Sequence, residues 1–233
     1  MILLFATASG LAVGNLYWAQ PLLSAIASSF AIPASQGGFL ITATQIGYAL
    51  GILLLVPLGD VLERRQLLSC VMLASILALL FCGMAPSFAL LASAFLFLGF
   101  STVSGQIILP LAGDLANEAE RGRVVGLITS GITTGILFSR LASGLITDLW
   151  GWRSIYFLAA ILNLIMLCAM RSMLPKMPVQ DKITYRALLL GVFTSIKRYP
   201  QMRGILLKQG MIFGITFNIF WTALTFLLSG EPF

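Results

Sequence analysis

Residues 36–85 read QGGFLITATQIGYALGILLLVPLGDVLERRQLLSCVMLASILALLFCGMA, and this stretch decides the fold class. Two apolar runs, 36–58 and 66–85, flank a short charged segment that runs from Asp60 to Arg65. A helix of about 20 apolar residues, rising roughly 1.5 Å per residue, crosses the hydrocarbon core of a bilayer. The stretch therefore predicts two transmembrane helices. The second of them is followed so closely by the next apolar run, across Pro86, that those two form an antiparallel hairpin.

Composition extends this prediction to the whole chain. Of its 233 residues, 59% are hydrophobic and 9% are charged, and the mean hydropathy is +0.99. Soluble domains carry about 25% charged residues, so this chain has too few charges to cover a globular surface. That excludes a water-soluble enzyme and a nucleic-acid-binding protein, although the net charge is +6. Because histidine is absent and no predicted span contains a carboxylate pair, we expect no enzyme activity, no metal and no cofactor.

Polar or Pro/Gly-marked breaks divide the chain into seven predicted transmembrane spans. Their approximate ranges are 2–27, 36–58, 66–85, 88–112, 122–147, 153–174 and 205–228. We therefore predict an all-α membrane protein with three parts. Residues 1–174 form a six-helix unit, 175–203 form a cytoplasmic linker, and 205–228 form a seventh transmembrane helix.

The basic residues predict the orientation of these spans. Twelve of the fourteen Lys and Arg residues fall in the loops on one side of the membrane. The opposite loops contain only Arg153, and Arg140 lies inside the fifth span. Because loops rich in Lys and Arg stay in the cytoplasm, we expect a multi-pass membrane protein with a cytoplasmic N-terminus.

Spacing within the linker predicts an amphipathic helix, because apolar residues recur there at intervals of three and four. These residues are Tyr185, Leu188, Leu189, Val192, Phe193, Ile196 and Tyr199. The basic residues that flank them are Lys182, Arg186, Lys197 and Arg198. Such a helix either lies on the cytoplasmic membrane surface or packs on neighbouring protein, and the sequence leaves both interpretations open.

Small residues indicate where spans approach one another closely. GxxxG pairs occur at Gly10/Gly14, Gly47/Gly51, Gly122/Gly126, Gly131/Gly135 and Gly210/Gly214. Glycine at this spacing lets the backbones of two membrane helices pack tightly. We expect these glycines to serve helix packing.

Three features of the sequence match one family of membrane proteins. The loop after the second span, Val56-Pro-Leu-Gly-Asp-Val-Leu-Glu-Arg-Arg65, is similar to a G-x-x-x-D-R-x-G-R-R pattern. The fifth span is rich in glycine from Gly131 to Gly144 and is followed by Gly151-Trp-Arg153. The first span contains Asn15-Leu-Tyr-Trp-Ala-Gln-Pro-Leu-Leu23. Together these features resemble the major facilitator superfamily, specifically its bacterial drug/proton-antiporter-like branch.

The resemblance has identifiable departures. The loop differs from the family pattern at Val56, Val61 and Glu63, where the family prefers Gly, Arg and Gly. In the fourth span, Ser101 stands where the family has an arginine.

The resemblance implies a secondary active transporter of the bacterial inner membrane, in which two six-helix halves enclose one pathway and work by alternating access. It implies a lipid bilayer as surroundings, a small-molecule substrate and protons as the coupling ion. Family members typically have twelve spans, whereas this chain ends at Phe233 after the seventh predicted span. We therefore expect a truncated product. The alternative is a seven-span receptor or assembly protein without transport activity.

Arg140 is the single charged residue deep inside a predicted span. An arginine there costs about 2.5–3.5 kcal/mol on insertion scales, so a functional role is the first interpretation. We interpret it as a cavity cation that attracts an anionic substrate or pairs with a carboxylate of the missing half. The alternative is a side chain that extends outward towards Asp148.

Three amides, Asn15, Gln45 and Gln106, are the other candidates for substrate contact. Asn15 and Gln45 fall near the middle of the membrane, where the substrate sites of such transporters lie. The resemblance implies that spans one, two, four and five line the cavity, which ranks these amides above Asn163 in the sixth span. Each amide equally suits an interhelical hydrogen bond.

The resemblance also implies a cytoplasmic gate that latches the outward-facing state. Its candidate residues are Asp60, Arg64, Arg65, Arg121 and Arg123. Asp60 ends a predicted helix, where a negative charge is unfavourable and needs compensation. The alternative is a solvated turn that only sets the topology. No Asp or Glu lies in the middle of a predicted span, so these spans lack the carboxylate of a proton relay.

Overall fold

The computed structural model of the chain describes residues 1–175 and 184–228, and every regular element in those two ranges is helical. This confirms the predicted all-α fold. Residues 176–183 of the predicted linker, including Lys182, lie outside the described residues, as do the C-terminal residues 229–233. The chain divides into two compact units, residues 1–181 and 182–233.

The first unit contains eight α-helices within its described residues. They are α1 (Ile2–Gly14), α2 (Leu23–Ser29), α3 (Ala34–Leu55), α4 (Arg64–Met84), α5 (Phe88–Ser101), α6 (Ser104–Leu115), α7 (Arg121–Trp150) and α8 (Trp152–Met173). Short 3-10 turns cover Gln20–Leu22 and Val56–Asp60. Four of the predicted spans thus correspond to one helix each, namely α3, α4, α7 and α8.

The first predicted span, 2–27, is not one continuous helix. α1 ends at Gly14, and the chain continues in tight i→i−3 hydrogen bonds, such as Tyr17 N to Gly14 O at 2.9 Å, before α2 begins. Pro21 accounts for the break, because proline has no N–H to donate and its ring clashes with the carbonyl four residues earlier.

The fourth predicted span, 88–112, is also interrupted. α5 ends at Ser101 and α6 begins at Ser104, so Thr102 and Val103 lie between two helical segments. The whole range Phe88–Leu115 is nevertheless long and apolar enough to cross a membrane. In total, the described residues contain six ranges of this kind, together with the shorter apolar helix α1.

Glycines bring α1 and α7 into close contact, as the GxxxG spacing predicts. A Cβ atom added to Gly10 would lie 2.5 Å from the Gly131 carbonyl oxygen, and one added to Gly135 would overlap the Gly10 backbone. α3 and α5 meet in the same way, since a Cβ at Gly47 would overlap the Leu96 backbone. A larger residue at any of these positions would separate the two helices.

The remaining GxxxG pairs have no close neighbour among the described residues. No described atom lies within 4 Å of a Cβ placed at Gly122, Gly126, Gly210 or Gly214. For these glycines, the packing role stays a prediction.

The second unit contains three α-helices within residues 184–228: α9 (Tyr185–Arg198), α10 (Pro200–Gln209) and α11 (Thr216–Leu228). A π-helical turn, Gly210–Ile215, joins α10 to α11. α9 covers the segment for which the sequence predicts an amphipathic helix. The range Pro200–Leu224 is long and apolar enough to span a membrane and begins earlier than the predicted 205–228.

We predict that Gly135→Ala destabilises the first unit, because the added methyl group would collide with the α1 backbone. Overpacking of this kind costs about 1–3 kcal/mol. The measurement is the thermal unfolding midpoint of the detergent-purified chain. Gly126→Ala on the same helix is the matched control and should not lower the midpoint. Equal midpoints for the two variants would contradict the prediction.

Candidate functional site

A buried polar cluster occupies the break after α1. Asn15 is 2% exposed, and its amide exchanges hydrogen bonds with the Asn163 amide of α8 at 3.3 Å in both directions. The Trp18 indole N–H donates to the Asn15 side-chain oxygen at 3.0 Å. Both polar atoms of Asn15 therefore have partners inside the protein.

The same cluster joins the two interrupted spans. The Thr102 hydroxyl, which lies between α5 and α6, donates to the Ala12 carbonyl of α1 at 2.8 Å. The Asn15 amide nitrogen also lies 3.2 Å from the Thr102 hydroxyl oxygen. These contacts thus connect the break after α1 with the break between α5 and α6.

For Asn15, the interhelical hydrogen bond is the interpretation that the structure supports. Its partner is Asn163, which the sequence analysis ranked below the other amides. The Asn163 amide also donates to the Ala159 carbonyl at 2.8 Å. A direct contact between Asn15 and a substrate stays a prediction, and it would require this buried pair to open.

Arg140 lies beside the 3-10 turn that follows the first break. Its Nε and Nη2 atoms donate to the Gln20 side-chain oxygen at 3.2 and 2.7 Å. The guanidinium carbon lies 4.9 Å from the centre of the Tyr17 ring, a cation–π distance. Gln20 is 1% exposed and Arg140 is half-buried. The turn therefore holds the Arg140 charge at a fixed position within the span.

Gln106 and Gln45 lie near a second tyrosine. The Gln106 amide donates to the Tyr48 hydroxyl at 2.8 Å, which links α6 to α3. Gln45 is half-buried and lies one helical turn before Tyr48 on α3.

The charged residues after α3 form an ion-pair cluster with the end of α6. Arg64 donates to the Asp114 carboxylate at 2.7 Å and lies 3.5 Å from the Asp60 carboxylate. Its Nε atom also donates to the Gly59 carbonyl at 3.1 Å. The arginine thus compensates the negative charge at Asp60, as the helix-dipole argument requires.

The other three gate candidates lie elsewhere. Arg65 donates to the Arg171 carbonyl at the end of α8. The Arg121 guanidinium packs close to Gly113 on α6, and Arg123 is exposed on α7. Asp114 is thus a partner of Arg64 that the sequence analysis did not name, and a shared gate role for the five candidates stays a prediction.

Comparison with known proteins identifies the family. A family model described as Major Facilitator Superfamily matches residues 3–231, nearly the whole chain. The chain belongs to the major facilitator superfamily.

The relatives of this superfamily member are named as transporters. The "Uncharacterized transporter YgaY" of Escherichia coli O157:H7 is 40% identical over 233 residues, which are 100% of this chain and 59% of the relative. The "Probable transporter SCO4007" of Streptomyces coelicolor is 30% identical over 231 residues, which are 99% of this chain and 54% of the relative. The chain therefore spans less than two thirds of each relative, and its truncation after the seventh span stays a prediction.

A solved structure supports the same fold. The human organic anion transporter MFSD10 (TETRAN) superposes on this superfamily member with a TM-score of 0.61 at 15% identity, covering 81% of this chain and 52% of that one. The bacterial relatives support a multi-pass protein of a bacterial inner membrane. They give no support to the alternative of a receptor or assembly protein.

Several site residues of this superfamily member were missed by the sequence analysis. Tyr17 and Gln20 lie within four residues before Pro21 in a predicted span, and a proline there is itself a signal for a helix break. Thr102 lies in the segment Ser101-Thr-Val-Ser104, which places three hydroxyl side chains in an otherwise apolar run. Asp114 follows the fourth predicted span on the same side of the membrane as Asp60, and an acidic residue at that position is a signal for pairing with Arg64.

We predict that Asn15 and Asn163 depend on each other for their contribution to stability. Asn163→Leu leaves the buried Asn15 amide with fewer partners, and such a group costs about 1–3 kcal/mol. A double-mutant cycle of Asn15→Leu and Asn163→Leu should lower the free energy of unfolding in detergent by less than the sum of the single changes. Asn117→Leu, at an exposed loop position, is the control and should have little effect. Strict additivity of the two buried substitutions would contradict the prediction.

Proposed function

We propose that the chain forms part of a secondary active transporter that moves a small molecule across a bacterial inner membrane by alternating access. Membership of the superfamily and the transporter names of two relatives support this proposal. The first unit supplies one side of the substrate pathway. Within this proposal, Arg140 lines the pathway and attracts an anionic group.

The contacts of Arg140 are the observation that carries the proposal. A charged side chain inside a span is costly unless the protein holds it. Here Arg140 donates two hydrogen bonds to the Gln20 side-chain oxygen and lies over the Tyr17 ring. The buried Gln20 amide nitrogen has no hydrogen-bond partner among the described residues. A cation beside an unsatisfied amide donor is suited to an oxygen-bearing anion, such as a carboxylate or phosphate. That anion is either the substrate or a carboxylate from outside the first unit.

The gate and the coupling ion are further parts of the proposal. We propose that the Asp60–Arg64–Asp114 cluster latches the cytoplasmic ends of α4 and α6 in one state of the transport cycle. We also propose proton coupling, which the drug/proton-antiporter-like branch implies. The predicted spans contain no mid-span carboxylate, so this coupling requires a proton-carrying group from outside them.

The Arg140 proposal predicts a charge-dependent ligand preference. Purified chain is screened by thermal shift against organic anions, neutral sugars and organic cations, and the best ligand is titrated. Arg140→Gln should weaken binding of an anion about tenfold or more, because a hydrogen bond to a charged group contributes about 1.5–3 kcal/mol. Arg140→Lys should retain part of the affinity.

Arg153→Gln is the control, because it removes an arginine at the start of α8. The affinity of this variant for the anion should stay near that of wild type. If folded Arg140→Gln binds the anion as tightly as wild type, Arg140 is not a ligand for the substrate. If stabilisation is seen only with sugars or cations, the proposed substrate class is wrong.

The orientation of the chain gives a separate prediction. Cys70, Cys82 and Cys168 are first changed to alanine. A single cysteine is then introduced at an exposed loop position on one or the other side of the membrane. Ser87→Cys, between α4 and α5, should react with a membrane-impermeant maleimide in intact cells. Asn117→Cys, between α6 and α7, should react only after permeabilisation. The reverse pattern would place the N-terminus outside the cytoplasm.

A further inference from the structure

A polar cavity opens between the ends of α4 and α8, away from Arg140. Its volume is about 550 Å³. We call it the α4–α8 pocket, and the residues that matter for the argument are Glu63, Arg65, Gln66, Ser69, Leu73 and Arg171. The cavity holds two arginines and one carboxylate, so its lining carries a net positive charge.

Hydrogen bonds tie both arginines to the junction of α4 and α8. Arg65 donates to the Arg171 carbonyl, and Arg171 Nη1 lies 3.3 Å from the Ser69 hydroxyl oxygen. Two guanidinium groups and a hydroxyl are groups that bind phosphate in proteins.

The pocket lies at the level where lipid headgroups meet the protein. Arg65 is near the start of the candidate span Arg64–Met84, and Arg171 is near the end of the candidate span Trp152–Met173. With the proposed orientation, both arginines face the cytoplasmic leaflet, whose lipids carry negative charge.

An apolar track leads from the pocket along α4. Leu73 lines the pocket and is 50% exposed, and it is followed at intervals of four residues by Leu77, 46% exposed, and Phe81, 63% exposed. Residues at this spacing lie on one face of a helix. A polar pocket that continues into an apolar stripe matches a phospholipid, which has a phosphate at one end and acyl chains at the other.

We propose that the α4–α8 pocket binds an anionic phospholipid, whose phosphate pairs with Arg65 and Arg171 and whose acyl chain lies along Leu73, Leu77 and Phe81. A free phosphate ion would use the two arginines but not the apolar stripe. The site is separate from the substrate pathway, and it would hold the ends of α4 and α8 together through the lipid.

The test is native mass spectrometry of the detergent-purified chain with added phosphatidylglycerol or phosphatidylcholine of equal chain length. Wild type should retain phosphatidylglycerol more strongly than phosphatidylcholine. Arg171→Gln should lower that affinity about fivefold, since one arginine near an anionic lipid is worth about a factor of this size. Arg171→Lys should keep most of it, and the double change Arg65→Gln/Arg171→Gln should abolish the preference.

Arg123→Gln removes one exposed arginine of α7 outside the pocket and is the matched control, with lipid retention expected to equal that of wild type. Thermal unfolding verifies that each variant is folded. If Arg171→Gln does not fold, Ser69→Leu is used instead, because it fills the pocket without removing a charge and should also lower lipid retention. Excess glycerol phosphate should not displace the lipid. Displacement by glycerol phosphate, equal retention of the two lipids, or an unchanged preference in the folded pocket variants would each overturn the proposal.

Discussion

The hydrogen bond from the Thr102 hydroxyl to the Ala12 carbonyl connects the two interrupted spans of the first unit. Inside a bilayer no water is available for a free backbone group, so an interrupted helix persists only where the protein supplies the missing partner. At the end of α1, the Ala12 carbonyl accepts from both the Asn15 backbone N–H and the Thr102 hydroxyl. The Asn15 side chain joins this contact while it pairs with Asn163. The breaks in two spans and the pairing with α8 therefore depend on one another.

The first break also determines the surroundings of Arg140. Gly10 and Gly14 lie on the face of α1 that contacts α7. In a continuous helix, Gln20 would be rotated about 120° away from Gly14, because each residue turns the helix by about 100°. The tight turn before Pro21 instead brings the Gln20 side chain to Arg140 on α7. The tight turn after α1 thus both closes the backbone hydrogen bonds at the break and places Gln20 where it holds Arg140.

The spans themselves could be predicted because membrane thickness sets their length and hydropathy marks their ends. The breaks could not be predicted from hydropathy, since Asn15–Ala19 and Thr102–Val103 lie within apolar stretches that continue on both sides. The glycine spacing predicted close packing at Gly10/Gly14 and Gly131/Gly135 without naming the partner helices, and the same spacing at Gly122/Gly126 faces no described neighbour. Partners such as Asn163 and Asp114 depend on which helices are adjacent in space, and sequence spacing does not contain that information.

The contacts within the first unit differ in burial and in strength. The α1–α7 interface and the Asn15–Asn163 pair are buried, and they hold the helices as one body. The Arg64 ion pairs lie at the surface, where the Asp60 and Asp114 side chains are 58% and 47% exposed, and such pairs contribute about 0–1 kcal/mol. In the proposed transporter, the buried contacts would keep the first unit rigid. The solvated cluster joins α4 to α6 within that unit, and because it is weak it can exchange partners as the proposed gate opens, at less cost than a buried ion pair.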